Sequence, residues 1–338
     1  MLRVTALTGG RNVPSARFRV RQYIAPLRAL GVEVREMCPL LGRYPPATKL
    51  IRPLWAALSL AERLPALAAS YCGHVTLLQR ELLSTLATLE GLSARPRVFD
   101  MDDAIFLRGN GHVRRIVASC DLVICGNQYL AEHVSAWNRR VEILPTAVDT
   151  ERYRPLTSPP SERASIIGWI GSSVNLPSLL QIEAPLARVL QRFPKAKLRV
   201  VSDACPIFRS LAREQLEFLP WSTSIEVAAI GGMTVGLMPL EDSAWSRGKC
   251  SFKMLQYLSA GVPAVVSPVG MNREVAALGS FAALASSNDE WYGQVAAWLA
   301  DPEAAAELGR SARAAIESHF SVTAIAPRLA RLLSSLVH

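Results

Sequence analysis

PLEDSAWSRGKCSFKMLQYLSAGVPAVVSPVGMNREV, residues 239–275, reads as the end of a buried strand, a polar loop, a helix opening near Ser251, a stop at Gly261 and a second buried strand. The flanking runs MTVGLMPL (233–240) and PAVVS (263–267) are short and continuously apolar, as strands inside a covered parallel sheet are. Strand, crossover helix and parallel strand make one βαβ unit. The backbone N–H groups at the start of its helix lack intrahelical partners and carry the positive end of the dipole, so they form an anion site. Lys249 and Lys253 add two positive charges at the helix end where cations are normally disfavoured. A phosphate or diphosphate suits this arrangement better than the competing reading, two lysines merely exposed on a helix start.

The same alternation extends in both directions. Within the second half, SIIGWIG (165–171), a helix over 176–193 and KLRVVS (197–202) precede the quoted segment, and closing helices follow it. The stretch RYRPLTSPPSERAS (152–165), rich in proline and serine, resembles a linker. Before it come LRVTALT (2–8), a helix over 15–30, VEV (32–34), HVTLLQ (74–79), RVFDMD (97–102) and DLVICG (121–126), with helices over 81–90 and 128–136. We therefore expect an α/β chain of two Rossmann-like domains with doubly wound parallel sheets: 1–155, 156–320, and a C-terminal helix in 321–338 that packs back toward the first domain. Such sheets bind ligands beyond the C-terminal ends of their strands, which places the ligand in a cleft between the domains.

With 338 residues, half of them hydrophobic, the chain can bury two sizeable cores. Its six cysteines form no CxxC pair, which argues for free thiols in a reducing compartment and against structural zinc. The start MLRVTALTGGRN is too short in apolar run for a signal peptide, and residues 49–72 are too interrupted by charge and proline to span a bilayer. Residues 1–63 hold eleven Lys and Arg against Glu33, Glu36 and Glu62, eight of the chain's net +9. That excess suits anionic lipid, a phosphorylated acceptor or nucleic acid, or is simply a solvated face. It overlaps KLIRPLWAALSLAERL (49–64), where Lys49, Arg52 and Arg63 flank Leu50, Ile51, Leu54, Trp55 and Leu58, a pairing suited to a membrane interface, although Pro53 and Pro65 should interrupt a long helix.

Three further segments bear on chemistry. GWIGSSVNLPSL (168–179) is a strand, a glycine turn and a helix start, so Gly171, Ser172, Ser173 and Asn175 present polar groups to an anion, but no full GxGxxG stands here. LTGGRNVPSARFRVRQY (7–23) turns on Gly9 and Gly10, with Ser15 as a helix N-cap and Arg17, Arg19 and Arg21 alternating, so that not all can face one side. VFDMDDAIFL (98–107) puts Asp100, Asp102 and Asp103 at the end of a buried strand, where carboxylates are costly unless paired or used. The readings for them are a metal site, a helix cap by Asp103, or a place beside the substrate. The five histidines are scattered, so no Ser-His-Asp hydrolase is supported.

Residues 239–275 resemble the donor-binding region of glycosyltransferase family 4, the retaining GT-B enzymes, and a subgroup of that family with a WSxGKxxxKxLQY pattern. The family's two glutamates, with seven residues between them, align with Gly248 and Gln256, so both acids are absent. The resemblance implies that Gln256 bonds the ribose and that the first acid's work passes to Asp242, Trp245 or Lys249. It also assigns the donor side to Gly248, Cys250, Ser251, Phe252, Gly171, Ser172, Ser173 and Asn175, with Gly10, Arg17 and Arg19 approaching from the first domain. Asp102 stands where the family carries a histidine near the reacting sugar. DLVICGNQYLAEHV (121–134), with Asn127 at its turn, and ILPTAVDTERYRP (143–155) are similar to the family's cleft-facing turn and its PNGVD hinge.

The resemblance implies a hexosyltransferase that moves a sugar from a nucleotide-diphosphate sugar to a sugar or lipid-linked acceptor, with retention. Asp102, Lys249 and Lys253 are its catalytic candidates. No cofactor and no metal are expected, because helix-start amides and lysines can stabilise the leaving diphosphate. Expected partners are the nucleotide sugar, an acceptor of cell-envelope polysaccharide synthesis and an anionic membrane surface, but no nucleic acid, with a cytoplasmic location at the inner membrane face. The alternatives are a nucleotide-sugar-binding protein without turnover and a GT-B epimerase.

Overall fold

Twelve short strands carry the apolar runs of the sequence, and they pair into two sheets of six, parallel throughout. The computed structural model describes residues 1–109, 111–159 and 164–337, so residues 160–163 of the linker-like stretch and His338 lie outside the described residues. The chain divides into two units. One comprises Met1–Ala147, Arg247–Cys250 and the segment from Val322, and the other comprises Val148–Ser246 and Ser251–Ser321.

In the first unit the elements run β1 (Leu2–Leu7), α1 (Pro14–Arg19), α2 (Ile24–Ala29), β2 (Val32–Met37), α3 (Arg52–Ser70), β3 (Val75–Gln79), β4 (Arg97–Met101), α4 (His112–Ala118), β5 (Leu122–Cys125), α5 (Gln128–Val134) and β6 (Val141–Ile143). The strand order is β2-β1-β3-β4-β5-β6, so the direction of winding reverses between β1 and β3. Every residue of β3, β4 and β5 is buried, as expected for parallel strands covered on both faces. Val4, Leu77, Val98 and Ile124 pack with Leu27 of α2 and with Ile325, Leu329 and Leu333 of the C-terminal helix Val322–Ser334. Each such apolar side chain contributes about 1.5–3 kcal/mol when buried, so that helix is part of this core.

Several local expectations change. Residues 15–30 are not one helix: Val20 leaves helical geometry at φ −128°, and Pro26 sits in the first turn of a separate α2, where its missing N–H costs nothing. Ser15 is not an N-cap, because the helix opens at Pro14 and the Ser15 hydroxyl donates to Gln79 Oε1 at 3.2 Å. Residues 81–90 form a loop, not a helix, since the buried Glu90 carboxylate accepts the N–H groups of Leu82 and Thr88. Conversely, α3 runs unbroken for 19 residues. Pro53 lies in its first turn, and the bond lost at Pro65 falls on a solvent-facing side.

The basic excess is also less superficial than its sequence position implied. Arg63 does not flank a surface, because it is buried and donates to the carbonyls of Thr8 and Leu82 at 2.8 Å each. Arg43 is buried against Glu81 at 2.6 Å. No helix among the described residues is long and apolar enough to cross a membrane.

The second unit runs β7 (Ile166–Ile170), α6 (Leu176–Leu180), α7 (Glu183–Arg192), β8 (Lys197–Ser202), β9 (Leu216–Pro220), α8 (Glu226–Gly231), β10 (Val235–Met238), α9 (Ala244–Arg247, whose last residue belongs to the first unit), α10 (Phe252–Ser259), β11 (Ala264–Val266), α11 (Met271–Ala276), β12 (Ala282–Leu284), α12 (Asn288–Ala300) and α13 (Pro302–His319). The order β12-β11-β10-β7-β8-β9 reverses between β7 and β10. The expected helix over 176–193 divides at Gln181–Ile182, with Pro177 and Pro185 each in the first turn of its own piece. Ile167, Val200, Leu237 and Val265 pack with Leu186 of α7 and Trp291 and Val295 of α12.

One buried ion pair holds the first sheet's C-terminal edge. Arg19 Nη2 lies 2.5 Å from Asp100 Oδ1, both side chains nearly inaccessible, and Arg19 Nη1 donates to Leu144 O at 2.8 Å. Burial alone would lower the Arg19 pKa, but Asp100 beside it raises it well above the ordinary value. Because removal of one partner leaves an uncompensated buried charge, Arg19→Ala is expected to cost about 3–5 kcal/mol. The urea midpoint of the first unit reads this, and Arg19→Met with Asp100→Leu should restore most of it.

Candidate functional site

In the first unit the C-terminal ends of β3, β4 and β5 converge on the short segment Arg247–Cys250. Asp102 and Asp103 follow β4 and share one guanidinium: Arg80 Nε donates to Asp102 Oδ1 at 2.6 Å, and its Nη2 lies 2.5 Å from Asp103 Oδ2. Asp103 therefore does not act as a helix cap; the 3-10 turn that follows begins after Ala104. Asn127, the N-cap of α5, accepts the N–H of Leu130 on Oδ1 at 2.9 Å. Its Nδ2 donates to the carbonyls of Lys249 at 3.1 Å and Arg247 at 3.3 Å. The Cys250 thiol donates to Asp102 O at 3.1 Å. Lys249 is partly buried; burial lowers its pKa, and Asp103 opposes that shift.

Close backbone approach explains two residues here. A Cβ on Gly126 would lie 2.2 Å from Cys250 Sγ, and one on Gly248 would lie 2.6 Å from Ala104 Cβ and 2.9 Å from Ala104 N. Gly248, aligned above with the first motif glutamate, has no room for any side chain. Among the first-unit candidates, Asp102, Gly248, Lys249 and Cys250 are thus brought together.

The arginines and glycine expected to approach an anion divide differently. Gly10 has φ 141°, a conformation that favours glycine, and closes the turn after β1. Arg17 is half-buried, its guanidinium 4.6 Å from the Phe18 ring centroid. Arg19 is not an anion ligand: its Nε, Nη1 and Nη2 are engaged by Asp100, Leu144 and Thr146 in a buried site.

In the second unit the turn after β7 and the loop after β10 border the point where that sheet reverses, the position where doubly wound sheets bind ligands. Gly171 permits the close turn, since a Cβ there would meet the Trp169 ring at 2.5 Å. Ser172 and Asn175 bond each other, Nδ2 to Oγ at 3.0 Å. Ser173 is already occupied: its N–H donates to Asp203 Oδ1 at 2.6 Å and its hydroxyl to Oδ2 at 2.8 Å. These bonds, the side-chain one foremost, hold the Asp203 carboxyl below its usual range. The sequence reading missed Asp203, which is 30 residues away and marked by no motif.

Asp242 is exposed and Trp245 half-exposed on the loop after β10. Ser251 precedes α10 at φ 49°, and its hydroxyl donates to Asn272 Oδ1 at 2.7 Å instead of capping the helix. Phe252 and Lys253 lie half-exposed on the first turn. Gln256 faces inward: its Nε2 donates to the Tyr153 hydroxyl at 2.7 Å, Tyr153 donates to Glu226, and Glu226 also accepts Trp221 Nε1 at 3.0 Å. Its Oε1 is buried without a protein partner.

No protein-family profile matches the chain, and no curated protein matches it. Solved structures do. Sucrose-phosphate synthase from Thermosynechococcus elongatus superimposes with a TM-score of 0.72 at 15% identity, covering 99% of both chains. Anabaena HepE in complex with UDP and glucose gives 0.71 at 15% identity, covering 99% of this chain and 100% of its own. WaaG, a glycosyltransferase involved in lipopolysaccharide biosynthesis, gives 0.67 at 13%, covering 98% and 99%. The chain has the GT-B fold.

Within this GT-B chain the interlock at Gly126 can be tested by rescue. Gly126→Ala is expected to destabilise the first unit, because its methyl would overlap the Cys250 sulfur. Cys250→Ala removes that sulfur and leaves its Cβ at an ordinary 3.6 Å. The double variant should therefore melt close to Cys250→Ala alone; a double variant no better than Gly126→Ala would place the strain elsewhere.

Proposed function

We propose that the chain is a glycosyltransferase that takes its sugar from a nucleoside diphosphate donor. The observation that carries this is that the Gly171–Asn175 turn follows β7 and the segment leading to α10 and its Lys253 follows β10, the two strands between which the second sheet reverses. A diphosphate leaving group needs preorganised positive potential, and helix-start amides with lysines supply it. Support comes also from the GT-B neighbour HepE, whose structures hold UDP and glucose in one case and UDP-glucose in another. In this reading Lys249 and Lys253 stabilise the departing diphosphate without a metal, Asp102 lies beside the reacting sugar, and the anomeric configuration is retained as in family 4. The acceptor is a sugar or lipid-linked precursor of envelope polysaccharide.

A second observation favours a membrane-bound acceptor. From Lys49 to Leu58 no residue is buried, and Leu50, Ile51, Leu54 and Leu58 are exposed together with Leu40, Leu41 and Tyr44 of the preceding loop. Apolar side chains can enter the headgroup boundary there while Lys49 stays at anionic phosphates.

Incubation with UDP-glucose and other nucleotide sugars should release nucleoside diphosphate only when sugar is transferred or hydrolysed, whereas an epimerase would return an altered nucleotide sugar and a pure binder neither. Lys249→Ala and Lys253→Ala should each weaken kcat/KM by about 1.5–3 kcal/mol, the worth of a charge-assisted contact. Wild-type turnover from the double variant would remove the assignment. In liposome flotation, binding should require anionic lipid, fall with salt and drop when Leu54 and Leu58 become serine; no flotation at low salt would leave the acceptor soluble.

A further inference from the structure

Arg80 is the first residue after β3, at the edge where the first sheet reverses, and it has φ 61°. A non-glycine residue in that region costs about 1–2 kcal/mol. The strain buys a definite direction. The Arg80 N–H still donates to Asp100 O at 2.9 Å, continuing the ladder, while the side chain turns across the end of β4 to both following carboxylates. Its side chain is 8% exposed, against 15% for Asp102 and 27% for Asp103, so the carboxylates face the open side and the guanidinium backs them.

We propose that Arg80 is a positioning residue: it keeps the Asp103 carboxylate charged beside Asp102 and fixes Asp102 as a hydrogen-bond acceptor for a substrate hydroxyl. The substrate clause rests on the glycosyl transfer proposed above; the ionisation clause does not. Two neighbouring carboxylates repel each other unless a cation lies between them, and here one guanidinium bonds both. For Asp103, burial raises the pKa and Arg80 opposes it most strongly. The other charged or titratable groups acting here are few. Lys249 favours the Asp103 carboxylate, Asp100 is committed to Arg19, Tyr44 acts on Arg80, and the Cys250 thiol near Asp102 is held protonated by burial. Arg80 is thus the principal countercharge of the pair.

The test uses Arg80→Gly, which keeps the positive φ without strain and removes the charge, and Arg80→Lys, which keeps a charge without the planar fork. Carbon-13 NMR titration of the aspartate carboxyls in the full chain should show the Asp103 midpoint rising in Arg80→Gly and rising less in Arg80→Lys. With UDP-glucose, or whichever nucleotide sugar the wild type turns over, Arg80→Gly should lose at least about tenfold in kcat with donor KM little changed. The acid limb of its pH profile should move upward. Unchanged carboxyl midpoints would overturn the proposal even if turnover fell. A shifted midpoint with wild-type kcat and pH profile would overturn the positioning role, and a wild type without turnover on any nucleotide sugar would instead fail the glycosyl-transfer reading, leaving the titration to decide the ionisation.

Discussion

Asp100 is the penultimate residue of a strand buried along its whole length, and a lone carboxylate there would be expelled from the fold or protonated. Arg19 makes the position tolerable, and in doing so ties three separate pieces of chain together: α1, the end of β4, and the carbonyl of Leu144 beyond β6. The glycine turn after β1 and the Asp102–Asp103 loop both hang from elements that this pair joins. An arginine that looked like a phosphate ligand is instead the reason the first unit's candidate site has a fixed geometry.

Around that pair, space decides what chemistry is possible. Gly126 and Gly248 are pressed against Cys250 and Ala104 so closely that neither tolerates a methyl group. Asn127 links the arrangement by capping its own helix with one end of its amide and holding the carbonyls of Arg247 and Lys249 with the other. The backbone of Lys249 is thereby fixed against the start of α5. Gly248 is the residue this packing admits, because Ala104 fills the space a side chain would need.

The second unit follows a different logic. Its anion-suited turn already holds an anion of the chain's own, the Asp203 carboxylate on Ser173. The amide nitrogen of Gln256 is spent on Tyr153, within a buried chain that ends on Glu226 and Trp221. Only its carbonyl oxygen remains unpartnered by protein.

The alternation of apolar runs and helical periods was legible because strands buried on both faces need no distant partner to be recognised, and the helix start beside Lys249 and Lys253 was legible because its chemistry is local. The weaker strands β6, β9 and β12 went unread: β9 and β12 are partly exposed and β6 is only three residues long, so none carries a clear apolar run. Helix breaks at Val20 and Ile182 also escaped, since a proline allowed in a first turn looks the same in sequence as one inside a helix. What only the tertiary structure decided was the destination of each charged side chain. Arg19 meets Asp100 across 81 residues, Arg80 reaches Asp102 and Asp103 from the neighbouring strand, and Ser173 meets Asp203 across the sheet. Residue type and spacing announce that a buried charge must be compensated; which partner compensates it depends on the order in which parallel strands lie side by side, a property no local stretch contains.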